Sequence, residues 1–337
     1  MSASPAISVL IDTYQQGRFV ARAVRSVLAQ THTPQEIVVV DDGSTDDTAE
    51  VLTEFGDRVR VIKQANQGQA GALNAGIATL QGNWVAFLDG DDTWGPRHLV
   101  LVVAAAAGPE CDAVLAPLER VDADDLTIGV EPPARSIVAI SQTLQNPSMV
   151  LDGMLPWLAP TSGIACRVEL LRAMGPIPAE YRIAADGWIQ VALQVAARRM
   201  ALLPERTVRL RVHGANRWTG RDELDTALLS QRRALYEKLA AAARGLAAAH
   251  GRDAAGLSHA LEAQAAEFAI WERIVAGERG AALALAWRWS PSTTVVSPLH
   301  RGFRRAHLVL ATLSPTPVYL GLRNAWRSMK SAMSGRT

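Results

Sequence analysis

The chain has 337 residues, of which 49% are hydrophobic and 20% charged, so it is long enough for two domains or for one large domain with an appendage. This composition excludes a disordered or fibrous protein. Its two cysteines, Cys111 and Cys166, lack CxxC spacing, which excludes a disulfide framework and a structural zinc site and fits a reducing cytoplasm.

Charge is distributed unevenly along the chain, although the net charge is only +1. No Asp or Glu follows Glu278, whereas nine basic residues do, which leaves residues 1–278 with 25 basic and 33 acidic side chains, or −8. Apolar runs such as 281–287 fall far short of the roughly 18 residues that a membrane-spanning helix needs. No basic segment typical of a signal peptide precedes the first apolar run. We therefore expect a cytoplasmic chain that does not cross a bilayer by itself.

The first 90 residues alternate between short apolar runs and amphipathic segments. Apolar runs of strand length are found at 7–11, 36–40, 59–62 and 84–88. Segments with helical spacing of apolar residues are found at 19–28, 46–55 and 69–80. Continuous apolar strands that alternate with helices predict an α/β fold with a mostly parallel sheet covered on both faces.

Beyond residue 110 the pattern is mixed and then becomes purely helical. Further strands are predicted at 113–118, 161–166 and 207–213, a helix at 186–199 and an acidic loop at 122–135. From about residue 222 only helical patterns occur. We therefore predict an α/β domain over 1–220, with halves of about 1–115 and 116–220, and a helical, basic C-terminal region over 221–337.

Acidic and polar turns follow three of the predicted strands. They are Asp12-Thr13-Tyr14, Asp41-Asp42 and Asp89-Gly90-Asp91-Asp92. Ligands bind at the carboxyl ends of the strands in such sheets, although a single acidic turn is often only a helix cap or a solvated loop. Three carboxylates in one turn are stable at neutral pH only if they are exposed, partly protonated or neutralised by a cation. Gly90 favours the cation, because a residue without Cβ lets the flanking side chains converge, and oxygen ligands suit Mg²⁺ or Mn²⁺ completed by substrate phosphates. The turns predict a divalent metal and a diphosphate ligand.

Four sequence motifs occur together in this part of the chain: SVLIDTY, VVVDDGSTDDT, NQGQAGALNAGIA and FLDGDD. In this order and spacing they resemble the family 2 glycosyltransferases, over roughly residues 6–215. The resemblance implies the GT-A fold, in which helices flank a Rossmann-like, mostly parallel sheet. It also implies transfer of a sugar from a nucleotide diphosphate sugar with inversion at the anomeric carbon.

The resemblance further implies a nucleotide site built from the first turns of the sheet. The residues matched to the nucleoside are Thr13, Tyr14, Asp41 and Asp42, with Ser44 nearby. Asp41 is expected to accept a hydrogen bond from the base. Gly68 is expected to allow the backbone to approach the nucleotide, and Asn74 to brace the loop that flanks it.

Metal-binding residues are implied in the same way. Asp91 matches the direct metal ligand, and Asp89 matches a contact to ribose or to a metal-bound water. Asp92 is expected to support these two. His213 falls where many relatives carry a histidine that completes the metal site, although a histidine after a strand also occurs as a purely structural residue.

The segment YRIAADGW resembles the place where an acidic residue deprotonates the acceptor hydroxyl, so Asp186 is the candidate base. The alternative is that Asp186 only caps its helix. Asp12 stands where relatives usually carry proline, and Ala185 where an acid often precedes the base. The chain also lacks the QxxRW motif of processive synthases, which favours single additions.

The function expected is metal-dependent transfer of a sugar from a nucleotide diphosphate sugar, with a UDP-sugar as the first candidate. The acceptor is expected to be a hydroxyl of a glycan, a lipid-linked molecule or another compound, in cell-envelope or exopolysaccharide synthesis. A sugar nucleotidyltransferase and a non-catalytic nucleotide-sugar-binding protein are the alternatives. The basic, aromatic tail either lies on an anionic membrane surface or packs as a helical cap, in which case it could also form a homodimer contact. No nucleic-acid partner is expected.

Overall fold

The computed structural model describes residues 5–108, 110–131, 159–214, 225–289 and 308–313. Its strands are β1 Ile7–Thr13, β2 Glu36–Asp41, β3 Arg60–Lys63, β4 Trp84–Asp89, β5 Thr93–Trp94, β6 Cys111–Leu115, β7 Leu118–Val121, β8 Thr127–Glu131, β9 Ile164–Arg167, β10 Arg199–Leu202 and β11 Val208–Arg211. Its helices are α1 Gly17–Leu28, α2 Thr48–Thr53, α3 Gly68–Thr79, α4 His98–Ala106, α5 Val168–Met174, α6 Ala185–Ala196, α7 Thr226–Ala249, α8 Ala255–Val275 and α9 Arg279–Arg288.

Seven strands form the central sheet, in the order β10-β6-β9-β4-β1-β2-β3. All neighbours in this sheet are parallel except β9, which runs antiparallel between β4 and β6. In β2, Val38 and Val40 face one hydrophobic cluster and Val39 faces the other, as the two-residue period of a strand requires. Helices therefore cover both faces, and the carboxyl ends of β1, β2 and β4 meet at one edge.

A second, four-stranded sheet has the order β5-β11-β7-β8 and lies beside that edge. Strand β11 runs parallel to β7 and antiparallel to β5. Because β5 directly follows the acidic turn after β4, this pairing brings the end of β11 to the acidic turn. The small sheet thereby joins residues near 92 to residues near 211.

Two of the C-terminal helices pack into the core of the α/β region. Helices α7 and α8 pack against each other, and α7 packs on α6. Leu239 of α7 is only 1% exposed and shares a hydrophobic cluster with side chains of α3 and α6. Helix α9 and residues 308–313 contribute to a separate cluster around Ile270 and Trp289.

Local structure differs from the sequence-based prediction at three places. The strand predicted at 113–118 is two strands, β6 and β7, which belong to different sheets. The helix predicted to residue 199 ends at Ala196, and Arg199 begins β10. The predicted acidic loop contains β8, which pairs with β7. None of the described helices is long and apolar enough to cross a membrane. Of the nine basic tail residues, all but Arg279 and Arg288 lie outside the described residues, as does the segment 215–224 after His213.

Candidate active site

The parallel register places the three polar turns side by side. Asp12 is paired with Asp89 of β4, and Thr13 is paired with Asp41 of β2. A cavity of about 770 Å³ opens at this edge and is lined by residues of both sheets and of α6. Most of the predicted site residues line it: Thr13, Tyr14, Asp42, Gly68, Asp89, Asp91, Asp186 and His213.

The turn after β4 brings three carboxylates together. Oxygen atoms of Asp89, Asp91 and Asp92 lie within 4.8 Å of one another. Gly90 makes the turn possible, because a Cβ at this position would lie 2.8 Å from Thr13 Oγ1 and 2.5 Å from Gln16 Oε1. Its N–H donates to the Asp12 carbonyl at 2.9 Å. Only a residue without a side chain fits there, and its neighbours therefore converge on the cavity.

Asp12 adds a fourth carboxyl to this cluster. It lies opposite Asp89 in the register of β1 and β4, and burial raises the pKa of Asp12 to about 7. Burial, followed by the charge of Asp12, raises the pKa of Asp89 well above its usual range. Within the described part of the chain, Asp12 Oδ1 is buried and has no hydrogen-bond partner. This group of carboxylates offers oxygen ligands and negative charge, and its Asp12 Oδ1 atom lacks a hydrogen-bond partner among the described residues. Such a group fits a hard divalent cation.

His213 lies beside Asp91, with His213 Nε2 2.9 Å from Asp91 Oδ2. The imidazole stacks on the ring of Phe19, with centroids 4.8 Å apart and an interplanar angle of 29°. Arg211, two residues earlier, donates from Nε to the Asp91 carbonyl at 3.0 Å. The end of β11 therefore fixes both the backbone of the acidic turn and the imidazole next to its central carboxylate.

Both carboxylate oxygens of Asp92 accept hydrogen bonds. Oδ2 accepts a hydrogen bond from Ser162 Oγ at 2.6 Å, and Oδ1 accepts one from the Arg211 N–H at 2.8 Å. The side chain is 2% exposed, and burial raises its pKa well above the usual range. These contacts join the acidic turn to β11 and to the segment that precedes β9.

Asp186 lies on the first turn of α6 and lines the same cavity as the acidic turn. The cap position of this helix is Ala184, so Asp186 is the second helical residue and does not cap the helix. Its Oδ1 accepts a hydrogen bond from the Gly187 N–H at 2.8 Å. Burial raises the pKa of Asp186 to about 6. With this pKa the carboxylate is mostly ionised at neutral pH, so it can accept a proton from a hydroxyl bound in the cavity.

At the other end of the cavity, Asp42 organises the start of α3. Its carboxylate accepts hydrogen bonds from Gln64 Nε2 at 2.7 Å, from the Gln67 N–H at 2.8 Å and from the Gly68 N–H at 2.7 Å. Gly68 has φ +78°, and a Cβ there would lie 2.6 Å from the Arg182 carbonyl oxygen. The close approach that Gly68 permits is therefore to the backbone at Arg182.

Three of the predicted residues lie behind the cavity wall. Asp41 is buried and accepts a hydrogen bond from the Ser44 N–H at 2.9 Å, while Ser44 Oγ accepts one from the Gln15 N–H at 2.9 Å. Asn74 exchanges two hydrogen bonds with the backbone of Ile177, at 2.8 and 2.9 Å. Asp41 and Ser44 thus shape the turn after β2, and Asn74 joins α3 to the segment before α6.

Gln69 and Arg211 are two site residues that sequence reasoning did not single out. Gln69 Nε2 donates to Asp89 Oδ1 at 3.2 Å and to Thr161 Oγ1 at 3.0 Å, and Gln69 Oε1 accepts from the Ala185 N–H at 3.2 Å. The Arg211 side chain is fully buried and donates to Asp125 Oδ1 at 2.6 Å. Gln69 falls inside the NQGQAGALN stretch, but its partners Thr161 and Ala185 lie 92 and 116 residues away, so the local sequence pattern carries no signal for these contacts.

Known proteins resemble this chain in both sequence and fold. Residues 8–148 match the family model described as Glycosyl transferase family 2. An uncharacterized glycosyltransferase from Nostoc sp. is 41% identical over 216 residues, which cover 62% of this chain and 66% of that protein. The succinoglycan biosynthesis protein ExoO from Rhizobium meliloti is 40% identical over 110 residues, or 32% of each chain. The chain thus spans just under two thirds of the first relative and about a third of the second.

Two solved structures share the fold at low sequence identity. S. aureus TarS 1–349 in complex with UDP superposes with a TM-score of 0.56 and 20% identity, covering 83% of this chain and 74% of that one. Mannosyltransferase PcManGT from Pyrobaculum calidifontis, in complex with GDP-Man and Mn²⁺, superposes with a TM-score of 0.57 and 18% identity. The match covers 97% of this chain and 88% of that one. These similarities confirm the predicted GT-A fold. The region of residues 8–148 belongs to glycosyltransferase family 2 by its matching family model, and the relatives of the chain are named glycosyltransferases.

Proposed function

We propose that the protein transfers a sugar from a nucleotide diphosphate sugar to a hydroxyl of an acceptor, with inversion and with Mg²⁺ or Mn²⁺ bound. The observation that carries this proposal is the cluster of carboxylates at the ends of β1 and β4, which shares one cavity with Asp186. Support also comes from solved proteins of this fold, which were crystallised with UDP-GlcNAc or with GDP-Man and Mn²⁺. The ExoO relative favours an acceptor in exopolysaccharide synthesis.

Asp91, Asp89 and His213 are the residues that would hold the cation. Their oxygen and imidazole groups suit Mg²⁺ or Mn²⁺, and the under-satisfied Asp12 oxygen adds negative charge to the same place. A bound divalent ion would offset the charge that develops on the departing diphosphate. Asp92 keeps the acidic turn in place through Ser162 and Arg211.

Asp186 acts as the base in this proposal. Its carboxylate accepts the proton of the acceptor hydroxyl as that oxygen forms a bond to the anomeric carbon, while the bond from that carbon to the diphosphate breaks. A pKa of about 6 keeps Asp186 ionised at neutral pH and basic enough for the transfer. Because nucleophile and leaving group occupy opposite faces of the sugar, the configuration inverts.

The nucleoside is assigned to the end of the cavity near β2 and α3. Thr13, Tyr14 and Asp42 line this end, and Tyr14 is 42% exposed, which leaves its ring available to a ligand. Asp41, Ser44 and Asn74 support the surrounding turns and the Ile177 segment. We assign donor binding to residues 1–115 and the base side of acceptor binding to residues 116–220; a helical region follows over 221–337.

The proposed function is tested by release of nucleoside diphosphate from a panel of nucleotide sugars, with and without Mg²⁺ or Mn²⁺. We expect release from at least one of them, loss of activity with a chelator, and recovery on adding metal back. Asp91→Ala is expected to abolish turnover and to weaken metal-dependent nucleotide binding. The matched control is Asp57→Ala, which removes an exposed carboxylate far from the cavity lining. Metal-independent turnover, or full activity of Asp91→Ala, would contradict the proposal.

A further proposal concerns where the enzyme works. Residues 279–337 contain nine basic and no acidic residues, and we propose that they bring the enzyme to an anionic membrane surface that carries a lipid-linked acceptor. Co-sedimentation with anionic vesicles, compared with neutral ones, tests this. Equal recovery with both kinds of vesicle would rule it out.

A further inference from the structure

The cavity extends past the carboxylate cluster to the C-terminal helices, beyond the residues that match the family model. Five side chains of α7 and α8 line this part, namely Arg232, Leu235, Tyr236, Leu239 and Phe268. We refer to these five side chains as the helical wall. The helical wall lines the same cavity as Asp186.

The spacing of the α7 residues explains why they share one face. Positions 232, 235, 236 and 239 follow the i, i+3, i+4, i+7 pattern of a helix face. At one end of this face Leu239 packs on α6 next to Asp186, since a Cβ on Gly187 would lie 3.3 Å from Leu239 Cδ1. Seven helical residues span about 10 Å, so the wall extends about that far along α7 from Leu239 to Arg232.

The chemistry of the helical wall differs from that of the nucleotide end. The rings of Tyr236 and Phe268 are half-buried, with centroids 5.6 Å apart and a tilt of 45°. The Arg232 guanidinium carbon lies 6.0 Å from the Phe268 centroid. Leu235 and Leu239 complete an apolar surface with polar groups at its edge. Such a surface suits a sugar ring, which presents an apolar C–H face and a rim of hydroxyls.

We propose that the helical wall is the acceptor subsite and that it binds a sugar ring of a glycan acceptor through the faces of Tyr236 and Phe268. The attacked hydroxyl of that glycan then lies at Asp186, next to the Leu239 end of the wall. This assignment rests on the proposed transferase function. It adds the class of acceptor, a glycan with a stacked ring, and it gives α7 and α8 a role in binding.

The test is saturation-transfer NMR with methyl glycosides and disaccharides of glucose, galactose, mannose and N-acetylglucosamine, in the presence of UDP and Mg²⁺. We expect the wild-type protein to bind at least one of them. Tyr236→Ala and Phe268→Ala are expected to weaken that binding about tenfold, whereas Tyr236→Phe retains it. Trp287→Ala is the matched control, because Trp287 is 70% exposed on α9 outside the cavity lining and its loss should change nothing.

The thermal unfolding midpoint of each variant shows whether it is folded. If an alanine variant is unfolded, leucine at the same position (Tyr236→Leu or Phe268→Leu) replaces it, because leucine removes the ring but keeps apolar volume. Absence of glycoside binding to the wild type, or equal binding by the wild type and the ring-deleting variants, would overturn the subsite. Donor hydrolysis is measured separately on the wild type. Ring-dependent glycoside binding without any donor hydrolysis would support the subsite and contradict the transferase.

Discussion

At the scale of single residues, the site depends on carboxyl groups held in surroundings that disfavour their charge. Asp12 and Asp89 are paired at the strand ends, while Asp186 is half-buried on α6 and accepts a hydrogen bond from the Gly187 N–H. Burial raises the pKa of all three above the ordinary range. Strongly shifted carboxyls that share a cavity are typical of sites that bind cations or transfer protons.

The pKa of Asp186 predicts how activity depends on pH. Since the base must be ionised, kcat/KM for sugar transfer is expected to rise with pH through about 6 and to level off above it. Asp186→Asn is expected to remove transfer while leaving UDP binding intact, because the amide keeps the size of the side chain but accepts no proton. A pH profile of initial rates, together with a UDP titration of the variant, checks both outcomes. Full activity in Asp186→Asn would eliminate this residue as the base.

The same shift predicts the pH dependence of stability. A carboxyl whose pKa rises from 3.8 to about 6 on folding contributes stability below pH 3.8, which is lost as pH rises through 6. Asp186→Asn is therefore expected to unfold at a higher urea concentration than the wild type at pH 8. The gap should shrink as pH falls from 6 towards 4. A gap that stays constant across this range would show that Asp186 has an ordinary pKa.

At the scale of secondary-structure elements, the site is made of turns that only certain residues can form. The Gly68 turn at the start of α3 is an example, because its N–H is held by Asp42 and its Cα lies against the backbone at Arg182. Positive φ and a close backbone contact are both required there. A neighbouring connection, at Gly56, has φ +50° and nothing within 4 Å of an added Cβ.

These two glycines form a matched pair for mutagenesis. Gly56→Ala is expected to lower the free energy of unfolding by only roughly 1–2 kcal/mol, which is the cost of a left-handed backbone conformation for alanine. Gly68→Ala is expected to lower the free energy of unfolding by at least about 1 kcal/mol more than Gly56→Ala does, because the Arg182 backbone must also move. Urea unfolding of both variants gives the comparison. Equal losses would mean that the Arg182 contact relaxes without cost.

Much of the donor side of the fold could be predicted from sequence, because its determinants are local. β1, β2 and β4 begin where their apolar runs begin, and the acidic turns follow them directly. The acceptor side could be predicted less well. β10 and β8 are short strands whose pairing is long-range or lies at a sheet edge, and β9 is inserted antiparallel between strands distant in sequence. Contacts of Gln69 and Arg211 likewise depend on the assembled fold.

At the scale of the whole molecule, helices α7 and α8 are part of the main core. Leu239, Leu257 and Leu261 belong to the same hydrophobic cluster as Phe87 of the central sheet. The Tyr181 hydroxyl donates to the Lys238 carbonyl of α7 at 3.0 Å. Helix α7 thus packs on α6, the helix that carries the proposed base.

This shared core predicts that the described parts of the chain unfold together. Leu239→Ala is expected to lower the free energy of unfolding by about 2–5 kcal/mol, as is usual for a fully buried leucine. Leu285→Ala, which truncates a side chain 39% exposed on α9, is the control and should cost about 0.5 kcal/mol or less. Both are measured by urea unfolding with fluorescence and circular dichroism. Two separate transitions, with only one shifted by Leu239→Ala, would show that the helices fold independently.

Gln69 has a consequence for building hybrid enzymes. Its amide joins Asp89, from the donor side, to Thr161 and the Ala185 N–H, from the acceptor side. Fusing the first 115 residues of this chain to the later part of another enzyme would separate Gln69 from the latter two partners. A working hybrid must therefore supply a hydroxyl and a helix N–H at the positions of Thr161 Oγ1 and the Ala185 N–H. Without them Gln69 is no longer held against Asp89, even if the loops and the surface charge of the two parts are compatible.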